Sequence, residues 1–325
     1  MNEKESSKEQ NSDSIPQNDT LAIAKDKQYT AANFTGRKIR NVVYSSDTSV
    51  SVNQQAVSMD VYIPPNADGK KFPLVLLIHG GGFKGGDKTQ MASECFGLAE
   101  NGYVAISINY RLGWGNATIR GGCDDTLLIK QAIYRAVQDA NTALRYSIAH
   151  ADEYAIDKDW VFIGGNSAGA ITALFAAYLV QKSEEDFFNG FAEKLGALKQ
   201  TGNNSGTSYK LRGVLSMWGA FLDPALINSS NALPTLFFQG EKDPIVPFNV
   251  GHLIGCSYST AYGTYPLYNR LKDLGETVIA HIDPNGGHGV FSLNFRLENT
   301  LCFLNDVRQG IKKQEYLTGI QNSCD

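Results

Sequence analysis

The sequence lacks an apolar run long enough to cross a membrane, and it has no block of basic residues. The longest nearly continuous apolar stretches are residues 74–78 and 171–180, well short of the roughly 18 residues that a membrane-spanning helix needs. The formal net charge is −4, from 29 Lys and Arg against 33 Asp and Glu. This charge, without a basic stripe, argues against a nucleic-acid partner.

Cysteine and histidine are also scarce, with five of each in 325 residues. No two cysteines form a C-x-x-C pair, so neither a zinc site nor a thioredoxin-type site is predicted, and we expect no metal and no cofactor. Cys95 and Cys123 are each predicted to begin a helix near the carboxyl ends of adjacent strands. We therefore expect them to form a disulfide if the protein is exported.

Residues 1–30 form a polar segment that differs from the rest of the chain. The first 20 residues contain no aromatic side chain and bury too little surface to offset the entropy cost of ordering, which predicts disorder. The segment also lacks the apolar core of a signal peptide. It resembles the tether behind the lipidated cysteine of a bacterial surface lipoprotein, which implies an exported, lipid-anchored or periplasmic protein. A plain flexible N-terminus on a cytoplasmic protein is the alternative.

Residues 31–325 alternate between strand and helix patterns and predict a single α/β domain. Continuous apolar runs at residues 73–79 and 103–109 are typical of strands that helices cover on both faces. The pattern predicts eight strands, mostly parallel after an antiparallel opening pair, with helices on both faces. Residues 183–211 interrupt this alternation and are predicted to form a small cap. In such a sheet the catalytic groups gather at the carboxyl ends of the strands.

Ser167 lies at the centre of the pattern G-x-S-x-G, residues 165–169, between a predicted strand and a predicted helix. A sharp strand–turn–helix exposes a nucleophilic serine, and the flanking glycines let neighbouring chain pass closely. The alternative is an ordinary tight turn. The context of strand and helix favours the nucleophile.

A second glycine-rich motif, HGGGF at residues 79–83, follows the apolar strand at residues 73–79. Its exposed amides, at Gly81 and Gly82, would form an oxyanion hole together with the amide of Ala168. A flexible loop and a phosphate-binding loop are the alternatives. The second of these would need a Lys-Ser/Thr ending, which this motif lacks.

A nucleophilic serine needs a base, and the base needs a carboxylate that orients it. His288 is the candidate base because it lies in a glycine-rich loop just after the last predicted strand. Asp243, at a turn beyond another strand, is the candidate acid, with Glu241 as the second choice and Asp223 as the third. The chain order of Ser167, acid and histidine is the order found in α/β-hydrolases.

Five motifs in this order carry a resemblance to a known family: HGGGF, INYRLG, GGNSAGA, EKDPIVPF and GGHGVF. They resemble the bacterial carboxylesterase branch of the α/β-hydrolases, which includes hormone-sensitive-lipase-like, feruloyl and acetyl-xylan esterases. AIYRAVQDANTALRY and VLSMWGA resemble surface esterases of Bacteroidetes-type bacteria. The resemblance spans residues 39–310 and implies an α/β-hydrolase fold with the catalytic and oxyanion residues named above. Asn109 departs from the Asp that the hormone-sensitive-lipase group carries there.

The sequence therefore predicts a serine carboxylesterase that cleaves short acyl esters, free or on an acylated polysaccharide, through an acyl-enzyme. Phe83, Trp114 and Trp218 are predicted to line the substrate site, with core packing as the alternative. The insertion has few large apolar residues beside an acidic run, which does not suit a lipid-binding lid. A serine exopeptidase of the same fold and a non-catalytic binding module are the rival functions. The expected partner is an ester substrate, either a small molecule or linked to a polymer, and no nucleic-acid partner is expected.

Overall fold

The computed structural model describes residues 28–45, 57–113, 126–179, 187–188, 190–198, 206–253 and 260–324. The strands are β1 (Arg37–Ser45), β2 (Val57–Ile63), β3 (Phe72–Ile78), β4 (Val104–Ile108), β5 (Ile156–Asn166), β6 (Leu211–Met217), β7 (Thr235–Gly240), β8 (Val250–His252), β9 (Thr260–Tyr262), β10 (Val278–Asp283) and β11 (Gln314–Thr318). The helices are α1 (Ala92–Glu100), α2 (Thr126–Ala149), α3 (Ala168–Tyr178), α4 (Phe191–Leu195), α5 (Thr264–Asp273) and α6 (Leu293–Gln309).

Nine of these strands form one sheet in the order β1-β2-β4-β3-β5-β6-β7-β10-β11, and β8 and β9 form a separate hairpin. The β1–β2 and β2–β4 pairs are antiparallel, and the remaining pairs of the large sheet are parallel. The predicted mostly parallel α/β sheet is thus confirmed, with one strand more than the eight expected. The additional strand, β11, is polar and lies at the sheet edge, so it has no apolar run to reveal it.

Helices cover both faces of the sheet and divide the core into two clusters. One cluster contains apolar residues of α1 and α6, and the other contains those of α2, α3 and α5. Helix α2 carries small, fully buried residues, Ala132, Ala136 and Ala140, and it packs against α3, β1 and β5. Small residues let a helix lie close to its neighbours, and this close packing holds the strand ends that carry the site in fixed positions.

The motif INYRLG has a structural role at the end of β4. The guanidinium of Arg111 forms an ion pair with Asp139 of α2 at 2.9 Å, and both side chains are about 95% buried, with 5% and 4% exposed. The backbone N–H of Arg111 also donates to Asp139, at 2.7 Å. Removing one partner of such a pair would leave a buried charge uncompensated, so the pair fixes the start of the loop after β4.

The folded part of the chain begins earlier than predicted. Tyr29, which was assigned to the disordered segment 1–30, is only 4% exposed and belongs to the apolar cluster that contains α1. An aromatic side chain can bury enough surface to anchor the end of a polar segment. Residues 1–27 of that segment lie outside the described residues. No helix within the described ranges has the length and hydropathy to cross a bilayer.

The described part of the insertion packs against helix α2. The rings of Phe188 and Phe191 meet the ring of Tyr134 edge-on, with centroids 4.9 and 5.7 Å apart. The hydroxyl of Tyr134 donates to the carbonyl of Gly196 at 2.7 Å. The large apolar residues of this segment are therefore used for packing onto a helix. Much of the rest of the predicted cap, residues 183–211, lies outside the described residues.

The cysteines pair differently from the prediction. Cys302 of α6 forms a disulfide with Cys324, in the tail that follows β11. Cys95 is a free, buried thiol, and burial raises its pKa well above the usual value. The predicted Cys95–Cys123 disulfide is therefore wrong, because Cys95 lies on the face of α1 that packs into the core. Cys123 itself lies outside the described residues.

Candidate active site

Ser167 lies on a strained turn between β5 and α3. Its backbone has φ 53° and ψ −119°, a positive-φ conformation that L-residues rarely adopt and that is typical of functional sites. A side chain at Gly165 or Gly169 would place its Cβ 2.3 or 2.0 Å from the carbonyl oxygen of Ile78. Both glycines are thus required because the end of β3 passes the turn closely.

The structure brings the three predicted catalytic side chains together in one hydrogen-bonded chain. His288 Nε2 lies 2.9 Å from the Ser167 hydroxyl, and His288 Nδ1 lies 2.8 Å from Asp243 Oδ2. With a neutral imidazole, the hydroxyl donates to Nε2 and Nδ1–H donates to the carboxylate. The residues follow β5, β7 and β10, strands of one parallel sheet whose carboxyl ends share an edge.

Four donors hold the Asp243 carboxylate. Oδ1 accepts from the backbone N–H groups of Ile245, at 2.8 Å, and Val246, at 3.0 Å. Oδ2 accepts from the side-chain amide of Gln239 at 2.9 Å, in addition to His288. The Asp243 side chain is completely buried, whereas that of His288 is 20% exposed. The acid is therefore fixed on its turn while the imidazole remains accessible from the pocket.

The two other candidate acids lie elsewhere. Glu241 is exposed at the start of the same turn, where its backbone N–H donates to the carbonyl of Asp283 at 2.9 Å. Asp223 caps a short 3₁₀ turn by accepting from the backbone N–H of Ala225 at 2.8 Å. The geometry therefore selects Asp243 from the three carboxylates that the sequence left open.

The glycine loop forms the wall of the site opposite the histidine. Gly81 and Gly82 have φ values of 104° and 61°, in the left-handed region that favours glycine. The Gly81 carbonyl accepts from the backbone N–H groups of Lys84 and Gly85 at 3.0 and 3.2 Å. Because the Gly82 N–H lies opposite this carbonyl in the same trans peptide, it is directed away from that tight turn.

His79, the first residue of the motif, packs beneath the glycine loop in the protein core. Its ring is fully buried and stacks on Tyr110 with centroids 4.5 Å apart. The hydroxyl of Tyr110 donates to the His79 carbonyl at 3.0 Å. Burial lowers the pKa of His79, although the hydrogen bond between its Nδ1 and the Gly80 carbonyl acts in the opposite direction. His79 is therefore a neutral packing residue that shapes the loop.

A pocket of about 520 Å³ opens over Ser167, and the three glycines of the loop, Ala168 and His288 also line it. Its apolar walls include Phe83, Ile129, Ile171, Trp218, Val246 and Leu253. Of the three residues predicted to line the substrate site, Phe83 and Trp218 line this pocket, and Trp114 lies outside the described residues. The aliphatic wall residues come from several distant segments, and no local pattern in the sequence distinguishes them from core residues.

Trp218 is held beside the histidine by its backbone and by Arg296. It has φ 46°, which is rare for a bulky residue and indicates strain. The centroid of the Trp218 ring lies 6.2 Å from that of His288. The Arg296 guanidinium lies 5.4 Å from the centroid of the Trp218 ring. Arg296 is in turn ion-paired with Glu94 of α1 at 2.7 Å. Together these contacts fix the side of the pocket that borders His288.

Comparison with known sequences identifies relatives over much of the chain. The BD-FAE family model matches residues 59–221, half of the chain. Esterase-5B of Drosophila persimilis is 23% identical over 240 residues, which cover 72% of this chain and 35% of that protein. The probable carboxylic ester hydrolase LipM of Mycobacterium tuberculosis is 28% identical over 159 residues, which cover 48% of this chain and 33% of that protein. The chain spans about a third of the length of these curated relatives.

Solved structures agree with the fold at low sequence identity. An esterase of the planctomycete Thermogutta terrifontis with butyrate bound has a TM-score of 0.59 at 17% identity, covering 86% of this chain and 95% of that one. A truncated carbohydrate esterase from gut microbiota has a TM-score of 0.60 at 18% identity, covering 87% and 100%. These matches confirm the α/β-hydrolase fold that the motifs implied. The chain belongs to the BD-FAE family.

Proposed function

We propose that the protein is a serine carboxylesterase that hydrolyses short-chain acyl esters. The observation that carries this proposal is the hydrogen-bonded chain from Ser167 through His288 to Asp243, which ends in a pocket large enough for a small ester. Serine, histidine and a buried carboxylate in this arrangement generate a nucleophile at neutral pH.

In the proposed reaction, Ser167 Oγ attacks the ester carbonyl carbon while His288 Nε2 accepts the hydroxyl proton. Asp243 stabilises the resulting imidazolium, and the amides of Gly81, Gly82 and Ala168 stabilise the oxyanion. The carbon–oxygen bond to the alcohol then breaks, and the alcohol leaves with the proton from His288. A water molecule, deprotonated by the same nitrogen, cleaves the acyl-enzyme and releases the carboxylic acid.

The chemistry of the pocket and the packing of the insertion support a small apolar acyl group. Ile129, Ile171 and Phe83 form an aliphatic and aromatic wall that favours an apolar acyl chain. The described part of the insertion packs on α2, and none of the large apolar side chains described there is exposed for docking on lipid. We therefore propose a preference for acetyl to butyryl esters without interfacial activation. The butyrate-bound esterase and the carbohydrate esterase among the structural neighbours support small acyl groups and a sugar-linked alcohol.

The test is a panel of nitrophenyl esters from acetyl to dodecanoyl, run with the parent protein and with Ser167→Ala. We expect kcat/KM to be highest from acetyl to butyryl and to be lost in the variant. Acetylated and feruloylated xylan then identify the alcohol side. A rate that rises sharply when a long-chain triglyceride becomes an emulsion would contradict the short-chain assignment.

Two further measurements separate the rival functions. Cleavage of an aminoacyl amide faster than an acetyl ester would indicate a serine exopeptidase. Failure of a fluorophosphonate probe to label Ser167 would indicate a non-catalytic module. Labelling that is lost in Ser167→Ala, together with ester hydrolysis, is the result that the proposal expects.

We also propose that the protein is exported and works at the cell surface or in the periplasm. The Cys302–Cys324 disulfide supports this location, because disulfides persist in oxidising compartments and are rare in the cytosol. Mass spectrometry of the unreduced protein isolated from its source cells is the test. Finding both thiols alkylated in fresh cell extracts would contradict the proposed location.

A further inference from the structure

Gln239 is a buried polar residue at the end of β7, beside the acid of the catalytic chain. Its side chain is completely buried. Its Nε2 donates to Asp243 Oδ2 at 2.9 Å and to the carbonyl of Val246 at 3.3 Å. The residue does not line the pocket, so a direct contact with the substrate does not account for it.

Thr264 fixes the direction in which this amide points. The Thr264 hydroxyl, at the first position of α5, donates to Gln239 Oε1 at 3.3 Å. Thr264 is also fully buried. With the amide oxygen held by a donor, the NH₂ group must face the two acceptors, Asp243 and Val246.

Gln239 and His288 share one oxygen of Asp243, while the two backbone amides occupy the other. An oxygen of a carboxylate has two lone pairs in its plane. When the Gln239 amide uses one of them, the other remains for His288 Nδ1–H. The amide also draws negative charge from the oxygen that stabilises the imidazolium.

We propose that Gln239 is a positioning residue for the catalytic histidine. It holds the Asp243 carboxylate so that one lone pair of Oδ2 faces His288, and it limits the attraction of that oxygen for the imidazolium proton. This inference rests on the proposed esterase function, because it concerns the same histidine as the general base.

Few titratable groups surround this pair, so a pH profile will report on it. Among the described residues, His288 is the titratable side chain in hydrogen-bond contact with Asp243, and the hydrogen bonds of the Gln239 side chain go to Asp243, Thr264 and the carbonyl of Val246, of which only Asp243 titrates in this range. The chain neighbours Glu241 and Lys242 are exposed, and Lys242 bonds to Asn285 at 2.6 Å. Across the sheet, Gln239 pairs with Ile282 of β10, and α5 presents Thr264, which does not titrate in this range.

Two substitutions of similar shape test the proposal. Gln239→Met keeps the volume but removes the donor, whereas Gln239→Glu donates only when it is protonated. For Gln239→Met we expect kcat to fall about 10- to 100-fold, as for a lost hydrogen bond to a charged group, with KM within about twofold. In the pH profile of kcat/KM for Gln239→Met, the acid limb should lie at higher pH than in the parent. Without the hydrogen bond from Gln239, Asp243 attracts the imidazolium proton more strongly.

The pH dependence of kcat in Gln239→Glu distinguishes a positioning role from a merely structural one, because a structural role would not make kcat depend on the protonation of residue 239. Near pH 8 its ionised carboxylate repels Asp243, so kcat should be lower than in Gln239→Met. As the pH falls the new side chain protonates and donates again, so the ratio of variant to parent kcat should rise. Thr264→Val, which loses only the group that orients the amide, should change kcat in the same direction as Gln239→Met but less.

Gln138→Met is the matched control, since Gln138 is equally buried on α2 and donates to the carbonyl of Leu195 at 2.8 Å. It should lower Tm without moving the acid limb. If Gln239→Met behaves like Gln138→Met and the kcat ratio of Gln239→Glu is flat with pH, the proposal is overturned. If Gln239→Met does not fold, the test is whether the ratio of Gln239→Glu kcat to parent kcat changes with pH. Absence of Ser167-dependent hydrolysis in the parent would instead refute the proposed function.

Discussion

Two histidines near the end of β10 occupy opposite environments. His281 lies within the strand and is fully buried, with its ring stacked on Phe238 at 5.1 Å and against the edge of Phe295 at 5.3 Å. His288 lies in the loop beyond the strand, where both ring nitrogens bond to polar side chains and a fifth of the side chain is exposed.

The difference shows that position along the strand determines what a histidine can do. Burial lowers the pKa of His281 to about 4, while the backbone of Gln321 acts in the opposite direction. That ring stays neutral and packs as an aromatic residue. A side chain beyond the carboxyl end of the same strand instead meets groups from other strand ends, and there it can exchange protons with a substrate.

Replacing each histidine in turn is the strongest test of this difference between His281 and His288. His288→Ala should lower kcat roughly 10⁴- to 10⁶-fold, because the members of a catalytic triad act as a unit. His281→Leu should leave kcat near the parental value. Steady-state assays with a nitrophenyl acetate near neutral pH are the measurement. Similar losses in both variants would refute the assignment of His288 as the base.

Replacing Asp243, the proposed acid, should give the next largest effect. Asp243→Asn should lower kcat about 10⁴-fold, since an amide that donates to Nδ1 holds the imidazole in the wrong tautomer. Glu241→Gln, on the same turn, should change kcat by less than about threefold. The two variants should be measured at equal concentrations of folded protein, which circular dichroism verifies. A reversal of the two effects would move the role of the acid to Glu241.

The buried histidine should matter for acid stability. Below its ordinary pKa of about 6.5 the His281 side chain gains a proton in the unfolded state, but in the folded state it does so only near pH 4. The folded state therefore loses about 3 kcal/mol relative to the unfolded state as the pH falls through this window, at about 1.4 kcal/mol per unit.

His281→Phe removes this penalty, so its free energy of unfolding should fall less than that of the parent between about pH 7 and pH 4. Urea titrations of both proteins at several pH values are the measurement. His281→Leu serves as a second variant in case the larger ring disturbs packing. Curves that stay parallel over the whole range would contradict a depressed pKa in the folded protein.

The smallest expected effect concerns the aromatic neighbour of the catalytic histidine. Trp218→Phe keeps an aromatic ring beside His288 but reduces its contacts with that ring and with Arg296. An aromatic contact contributes about 0.5–1.5 kcal/mol, so kcat/KM should fall about 2- to 10-fold. Ester assays are the measurement, and Trp160→Phe, remote from the pocket, is the control. Equal losses in both variants would mean that Trp218 contributes only to packing.

The motifs predict which three side chains meet, because each follows a strand whose carboxyl end has a known place in this kind of sheet. Ser167, Asp243 and His288 are distant in the chain, yet their strand ends fall on one edge. Gln239 was not predicted, although its signal is visible as a polar residue closing an apolar strand. Its role depends on the direction of one amide, which only the three-dimensional contacts with Asp243 and Thr264 show.

The missed strand and the wrong cysteine pairing also have physical causes that the sequence does not show. Strand β11 was missed because an edge strand needs no apolar run when one side faces solvent. The expected pairing of Cys95 failed because a helix-start position does not show which face of the helix enters the core. The pairing of Cys302 with Cys324 depends on the path of the chain after α6, and that path follows from β11.

The same strand sets a practical limit on shortened versions of this protein. A chain ending at Gln309, after the last helix that the sequence predicts, would lack both β11 and the partner of Cys302. The backbone of β10 would then become the sheet edge, with its N–H and C=O groups unpaired beside an unpaired thiol. Exposed edges of this kind associate with one another. Recombinant versions that stop there should aggregate or cross-link through Cys302, whereas those that extend through Cys324 should remain monodisperse under oxidising conditions.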